Sequence, residues 1–188
     1  MIAAQSTLEP HGRWLEQAQH RFSAFHGPRP KTVSLLVIHN ISLPPGLFGA
    51  PYIDQLFTGC VQPDFPILQQ VQSLQVSAHL LIRRDGQIIQ YVPFDRRAWH
   101  AGVSCFAGED NCNDYSIGIE MEGTDTIPYS DRQYQQLAEV CRILVAYYPR
   151  LSDERIVGHC DIAPGRKTDP GAAFDWSRLR ALIQEEQR

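Results

Sequence analysis

The sequence predicts a layered α/β (α+β) domain, built on a central mixed β-sheet of about five strands flanked by helices. Three observations carry this. VSLLVIH at 33–39 is a compact, β-branched apolar run of the kind found in a strand buried on both faces. SAHLLIRRDGQIIQYVP at 77–93 holds two β-rich runs joined at Asp85-Gly86, a strong hairpin signal. SDRQYQQLAEVCRILVAYYP opens on a capping serine and continues with helical apolar spacing until Pro149 stops it.

The remaining elements follow in chain order. Residues 11–24 are expected to form a short peripheral helix. The central strand ends abruptly at His39-Asn40, and ISLPPGLFGAP must be a loop, because its Pro and Gly break regular structure. Residues 52–58 and 66–75 look like short helical pieces. After the hairpin come AWHAG and a polar loop, FAGEDNCND. DYSIGIEMEG at 114–123 then alternates, with Ile117, Ile119 and Met121 on one face and Gly118, Glu120 and Glu122 on the other. RIVGH is a brief strand. FDWSRLRALIQEE is a closing helix with Asp175 as its N-cap. No repeat, low-complexity tract or linker divides the chain, so residues 1–188 read as one domain.

Composition narrows the function classes. With 188 residues, a net charge of -4 and a pI near 5.9, the chain has no basic stretch dense enough for a nucleic-acid surface. No apolar run approaches the roughly 18 residues of a membrane span. MIAAQSTLEPHGRW lacks the basic start and apolar block of an export signal. Five cysteines, an odd number, then favour reduced thiols and a cytoplasmic address. Cys141 belongs to the core pattern, and Cys105 and Cys112 flank a loop across which they could pair.

The chemistry concentrates in VGHCDIAPGRKTDPG at 157–171. His159, Asp161, Lys167 and Asp169 share one stiffened loop there. His39 and His159 both sit where a strand meets a loop, the usual place for sites in α/β sheets. Neutral imidazoles and a carboxylate suit zinc, and a catalytic zinc keeps a fourth position for water. The residues alone leave two readings open, a solvated turn with ordinary polar groups or a metal hydrolase. The His159–Asp169 spacing matches no standard zinc signature such as HExxH.

Longer strings add to this. LLVIHNISLPPG, SAHLLIRRDGQIIQYVPFDRRAWHAG, CNDYSIGIEMEGTD and GHCDIAPGRKTDPG with FDW together resemble the AmpD-type N-acetylmuramoyl-L-alanine amidases. These belong to the wider type 2 amidase and peptidoglycan-recognition family. The resemblance runs from Leu35 to Leu182, in the family's motif order.

The resemblance implies zinc, held by His39, His159 and Asp169. Phage and animal relatives have Cys as the third ligand, and the AmpD branch has Asp. It implies Glu120 as the catalytic carboxylate, although Glu122 lies on the same strand face and competes, and Lys167 as the cation facing the developing oxyanion. Asn40, Arg84, Trp99 and His100 stand in matched motifs as candidate substrate contacts. His79 and His100 could instead orient a ligand or hold backbone, and Asp161 reads as a turn residue. Gln75 and Asn111 stand where some relatives place Arg. The implied substrate is a 1,6-anhydro-N-acetylmuramoyl peptide, cut between the lactyl group and L-alanine during cytoplasmic cell-wall recycling, by a monomer that needs no nucleic acid or membrane. Two alternatives remain at this point, a muropeptide-binding module without catalysis and another zinc amidohydrolase.

Overall fold

The structure, a computed structural model, describes residues 7–9, 11–63 and 65–185. The rest of the expected 1–188 domain lies outside these, including part of the N-terminal stretch read for an export signal and the final residue of FDWSRLRALIQEE. In chain order the strands are β1 (Gln19–His20), β2 (His26–Pro28), β3 (Leu35–Ile41), β4 (Leu80–Ile82), β5 (Ile88–Gln90), β6 (Arg96–Ala98), β7 (Cys105–Phe106), β8 (Glu109–Asp110), β9 (Ser116–Glu122) and β10 (Ile156–Gly158). The helices are α1 (Tyr52–Thr58), α2 (Pro66–Val71), α3 (Asp131–Tyr147), α4 (His159–Ile162) and α5 (Trp176–Glu185).

The main sheet has six strands in the order β1-β5-β4-β9-β3-β10. Only the β4–β5 hairpin pairs antiparallel, so the sheet is mixed, as expected. Its turn closes with Gly86 at φ +89, a left-handed conformation that glycine adopts without strain. β2–β6 and β7–β8 form two small ladders apart from it.

The sixth strand comes from a stretch expected to be helical. Residues 11–24 form no helix; they hold turns and β1. Several of their backbone groups pair with the hairpin and the residues just after it instead of closing helical turns. Arg21 N–H donates to the Gln90 carbonyl at 2.9 Å, and Ser23 N–H to the Tyr91 carbonyl at 3.0 Å. The Gln90 side chain accepts from Leu15 N–H at 2.8 Å and donates to the Arg13 carbonyl at 2.9 Å. Leu15 is thereby fully buried, and edge pairing overrides a weak helical propensity. The piece expected at 66–75 is helical only to Val71.

Other elements form as expected. The Ser130 hydroxyl accepts from Gln133 N–H, and the Gln133 side chain accepts from Ser130 N–H, a complete capping box on α3. Asp175 accepts from Arg178 N–H at 2.9 Å at the start of α5. All five cysteines are free thiols. Among the described residues no helix is long and apolar enough to cross a membrane.

Packing on the sheet decides where a site can form. Leu36, Ile38, Ile117, Ile119 and Met121 face α3 and α5 in one continuous core. The opposite face is covered in two patches. α1 and α2 pack over Leu81 and Ile89. Ala101, Cys112, Tyr115 and Ile162 pack over Leu35 and Val37. On that same face the register pairs His39 of β3 with Glu120 of β9, and Glu120 with Leu81 of β4. The polar end of the sheet therefore opens between two apolar lobes.

Candidate metal centre and active-site cleft

Three side chains converge in this gap. His39 Nδ1 lies 2.9 Å from His159 Nδ1, and Asp169 Oδ2 lies 3.0 Å from each. They come from the end of β3, the start of α4 and the loop after α4. Two close approaches hold that loop in place. Cys160 N–H donates to the Asp169 carbonyl at 3.0 Å. A Cβ on Gly158 would stand 2.9 Å from Pro170 Cδ, so only glycine fits there. Asp161 accepts from Gly158 N–H at 2.7 Å and serves the turn, as expected.

The donor set fits a divalent cation. His159 Nε2 lies 3.0 Å from the Ala101 carbonyl, which can only accept, so neutral His159 carries its proton there and presents a bare Nδ1. Burial pushes His39 down to about 4, which keeps it neutral at pH 7. Burial alone would raise Asp169, but the two imidazoles beside it outweigh that and hold it below the usual carboxylate range. In the form that binds a cation, two imidazoles and one carboxylate thus aim three lone-pair atoms at one point. Cation binding relieves that crowding, and an N, N, O set is one that zinc accepts.

The two glutamates of β9 differ sharply. Glu122 is filled: it accepts from Gly49 N–H at 2.7 Å, Arg84 N–H at 3.1 Å and Arg83 at 3.3 Å. Among the described residues, Glu120 Oε2 is buried without a hydrogen-bond partner. Burial first, and then the Asp169 charge, push Glu120 well above the ordinary carboxylate range, while Lys167 pulls it back. A poised, unpaired carboxylate beside a lone-pair cluster is a mark of a functional site.

A cleft of about 750 Å³ joins these groups, lined by His39, Asn40, Trp99, Glu120, Lys167 and Asp169 among others. Lys167 is exposed at its edge. Asn40 donates to Asp125 at 2.7 Å and to the Pro170 carbonyl at 3.1 Å, which ties the cleft's rim to the Asp169 loop. The Trp99 ring borders the cleft and stacks under the Arg97 guanidinium at 4.3 Å.

Of the expected substrate contacts, Arg84 needs correction and His100 is engaged elsewhere. Arg84 does not reach this cleft. It follows β4, donates to the Pro128 carbonyl at 2.7 Å and lies 5.0 Å over the Phe48 ring, beside a different cavity. His100 borders the cleft, but both its ring nitrogens are engaged within the protein, by His39 at 2.9 Å and Ser116 at 3.1 Å. His79 is structural: it accepts from Gly118 N–H and donates to the Arg96 carbonyl. The sequence reading missed Ser116, Gly118 and Arg166. Arg166 clamps the loop by donating to the carbonyls of Ala101 and Val103 at 2.6 and 2.7 Å. Gly118, a glycine inside a strand, was the available signal, since such a residue marks a close approach.

The sequence profile of the N-acetylmuramoyl-L-alanine amidase family matches residues 29–172. This chain belongs to that family. It is 60% identical over 177 residues to the 1,6-anhydro-N-acetylmuramyl-L-alanine amidase AmpD of Salmonella typhimurium strain SL1344, covering 93% of this chain and 94% of that protein. The crystal structure of a selenomethionine AmpD derivative superposes with a TM-score of 0.90 at 56% identity, covering 94% of this chain and 98% of that one. AmpDH3 from Pseudomonas aeruginosa, solved in complex with an anhydromuramic pentapeptide, matches with a TM-score of 0.60 at 30% identity, over 86% of this chain and 63% of that one. The amidase-family fold, with its mixed sheet between helices, is the one described above.

Proposed function

We propose that this amidase-family chain is a zinc enzyme that hydrolyses the amide between the lactyl group of 1,6-anhydro-N-acetylmuramic acid and L-alanine. Its place would be cytoplasmic muropeptide recycling, as a monomer whose single amidase domain takes in the whole of residues 1–188. The observation that carries the reading is the lone-pair cluster of His39, His159 and Asp169 beside the partnerless Glu120 carboxylate. The names of its relatives supply the bond, and the cleft, at about 750 Å³, has room for a sugar-peptide fragment.

His39, His159 and Asp169 would hold the zinc. When bound, zinc supplies a Lewis acid that lowers the pKa of a water toward about 7 and polarises a carbonyl. Glu120 Oε2 has no competing donor, so it is free to take a proton from the attacking water. The same carboxyl then delivers that proton to the departing L-alanine nitrogen. Lys167 Nζ, at the cleft's edge, offers positive charge to the carbonyl oxygen as it turns anionic. Asn40 fixes the rim and Trp99 offers an apolar wall to sugar or peptide. A module that only bound muropeptide would have no use for a buried, unpaired carboxylate.

The test is hydrolysis of anhydro-muropeptide followed by mass spectrometry, before and after chelation. Free L-alanyl peptide plus intact acetylated sugar, lost with chelator and restored by zinc, supports the reading. Saturable binding with substrate recovered unchanged would replace it with the binding module. A deacetylated sugar would replace it with another hydrolase.

A further inference from the structure

A hydrogen-bonded chain runs from the lone-pair cluster into the sheet. His39 Nε2 lies 2.9 Å from His100 Nδ1, and His100 Nε2 lies 3.1 Å from Ser116 Oγ. The two rings meet edge to face, with centroids 5.0 Å apart and planes at 84°. Gly118 makes room for this, since a Cβ there would stand 2.4 Å from His100 Cγ. β9 therefore presents Ser116, Gly118 and Glu120 in alternation, as hydroxyl, gap and carboxylate on one face.

We propose that His100 is a positioning residue which accepts the His39 Nε2 hydrogen and passes its own to Ser116, fixing His39 with a bare Nδ1 toward the metal. This rests on the triad being the metal site. The logic is directional. A cation on His39 Nδ1 leaves the ring's one hydrogen on Nε2, where it faces His100 Nδ1. That nitrogen must then be the acceptor, so His100 carries its hydrogen on Nε2 and needs an acceptor there. Ser116 Oγ is the atom in place. Removing His100 takes away the partner that the buried Nε2–H of His39 has at 2.9 Å, and binding metal would then cost an unmade hydrogen bond. This is the ligand-orienting role that the sequence reading set beside a substrate contact for His100.

The test measures zinc affinity by chelator competition and histidine tautomers by ¹⁵N NMR of the zinc-loaded protein, with folding followed by circular dichroism. His100→Leu is expected to weaken zinc about 10- to 100-fold. His100→Asn, whose amide oxygen falls near the lost Nδ1, should recover most of that. His100→Gln, whose oxygen falls near Nε2, should not. In the loaded parent, His39 and His100 should both carry hydrogen on Nε2. The NMR result holds even if a variant fails to fold. A parent that binds no zinc overturns the reading of the triad and this role with it. A zinc-binding parent with His100 protonated on Nδ1, or a folded His100→Leu variant that binds as tightly, overturns the role of His100 alone.

Discussion

Glu120→Gln keeps the side chain's size and removes its ability to take a proton. Loss of a general base costs about 100- to 10,000-fold in kcat, equal to about 3–5 kcal/mol of barrier at 1.36 kcal/mol per tenfold. Zinc content should not change, because Glu120 is outside the triad. Stability should move the other way. The folded protein holds the Glu120 proton more tightly than the unfolded chain, whose glutamate titrates near about 4.3. Glu120's own contribution to metal-free stability is therefore greatest below that pH and is lost as pH rises through the folded value. Gln has no such dependence. At pH 7 the variant should gain about 1–3 kcal/mol, the size of a buried unsatisfied polar group, or about 2–4 °C in Tm per kcal/mol. The gain should vanish below about pH 4. Glu122→Gln is the matched control. It disturbs a carboxylate that accepts from Gly49, Arg83 and Arg84, so it should lose about 1.5–3 kcal/mol. The assay is thermal melting of both metal-free variants from pH 4 to 8, with kcat of the zinc forms. A Glu120→Gln protein with parental turnover, or one less stable than the parent at pH 7, would refute the assignment.

Lys167→Ala should lower kcat about 100- to 1,000-fold, the usual worth of one oxyanion donor, with zinc content unchanged; steady-state kinetics with metal analysis checks it. Gly118→Ala drives a methyl into His100 and should cost about 1–3 kcal/mol of stability, read by denaturant unfolding. Ser130→Ala removes the α3 cap and should cost about 1 kcal/mol with catalysis unchanged, read by the same unfolding assay.

Much of this was legible in the sequence because its signals are local. The apolar run of β3, the Asp-Gly turn of the hairpin and the Ser130 cap each act within a few residues. The alternation of β9 was legible too, but not its meaning. β9 is parallel to both neighbours and buried on both faces, so the face with Glu120 is a site wall and not solvent-facing surface. The stretch 11–24 misled because its bonding partners lie about 70 residues away in the hairpin, where no local propensity reports them. The triad shows the same limit. His39 and His159 are 120 residues apart, and spacing said little; the family resemblance named them and the β3–β10 register brings their strands together. Arg84 was misplaced because a motif match does not tell which way a turn residue points. The roles of Ser116 and Gly118 depend on a ring packed from another segment.

The most direct measurement is anomalous diffraction at the zinc edge from crystals of zinc-loaded protein. One zinc per chain is predicted, about 2.0–2.1 Å from His39 Nδ1 and His159 Nδ1 and about 2.0–2.2 Å from an Asp169 oxygen. Zinc bound at other residues, or crystals without metal from fully active protein, would contradict it.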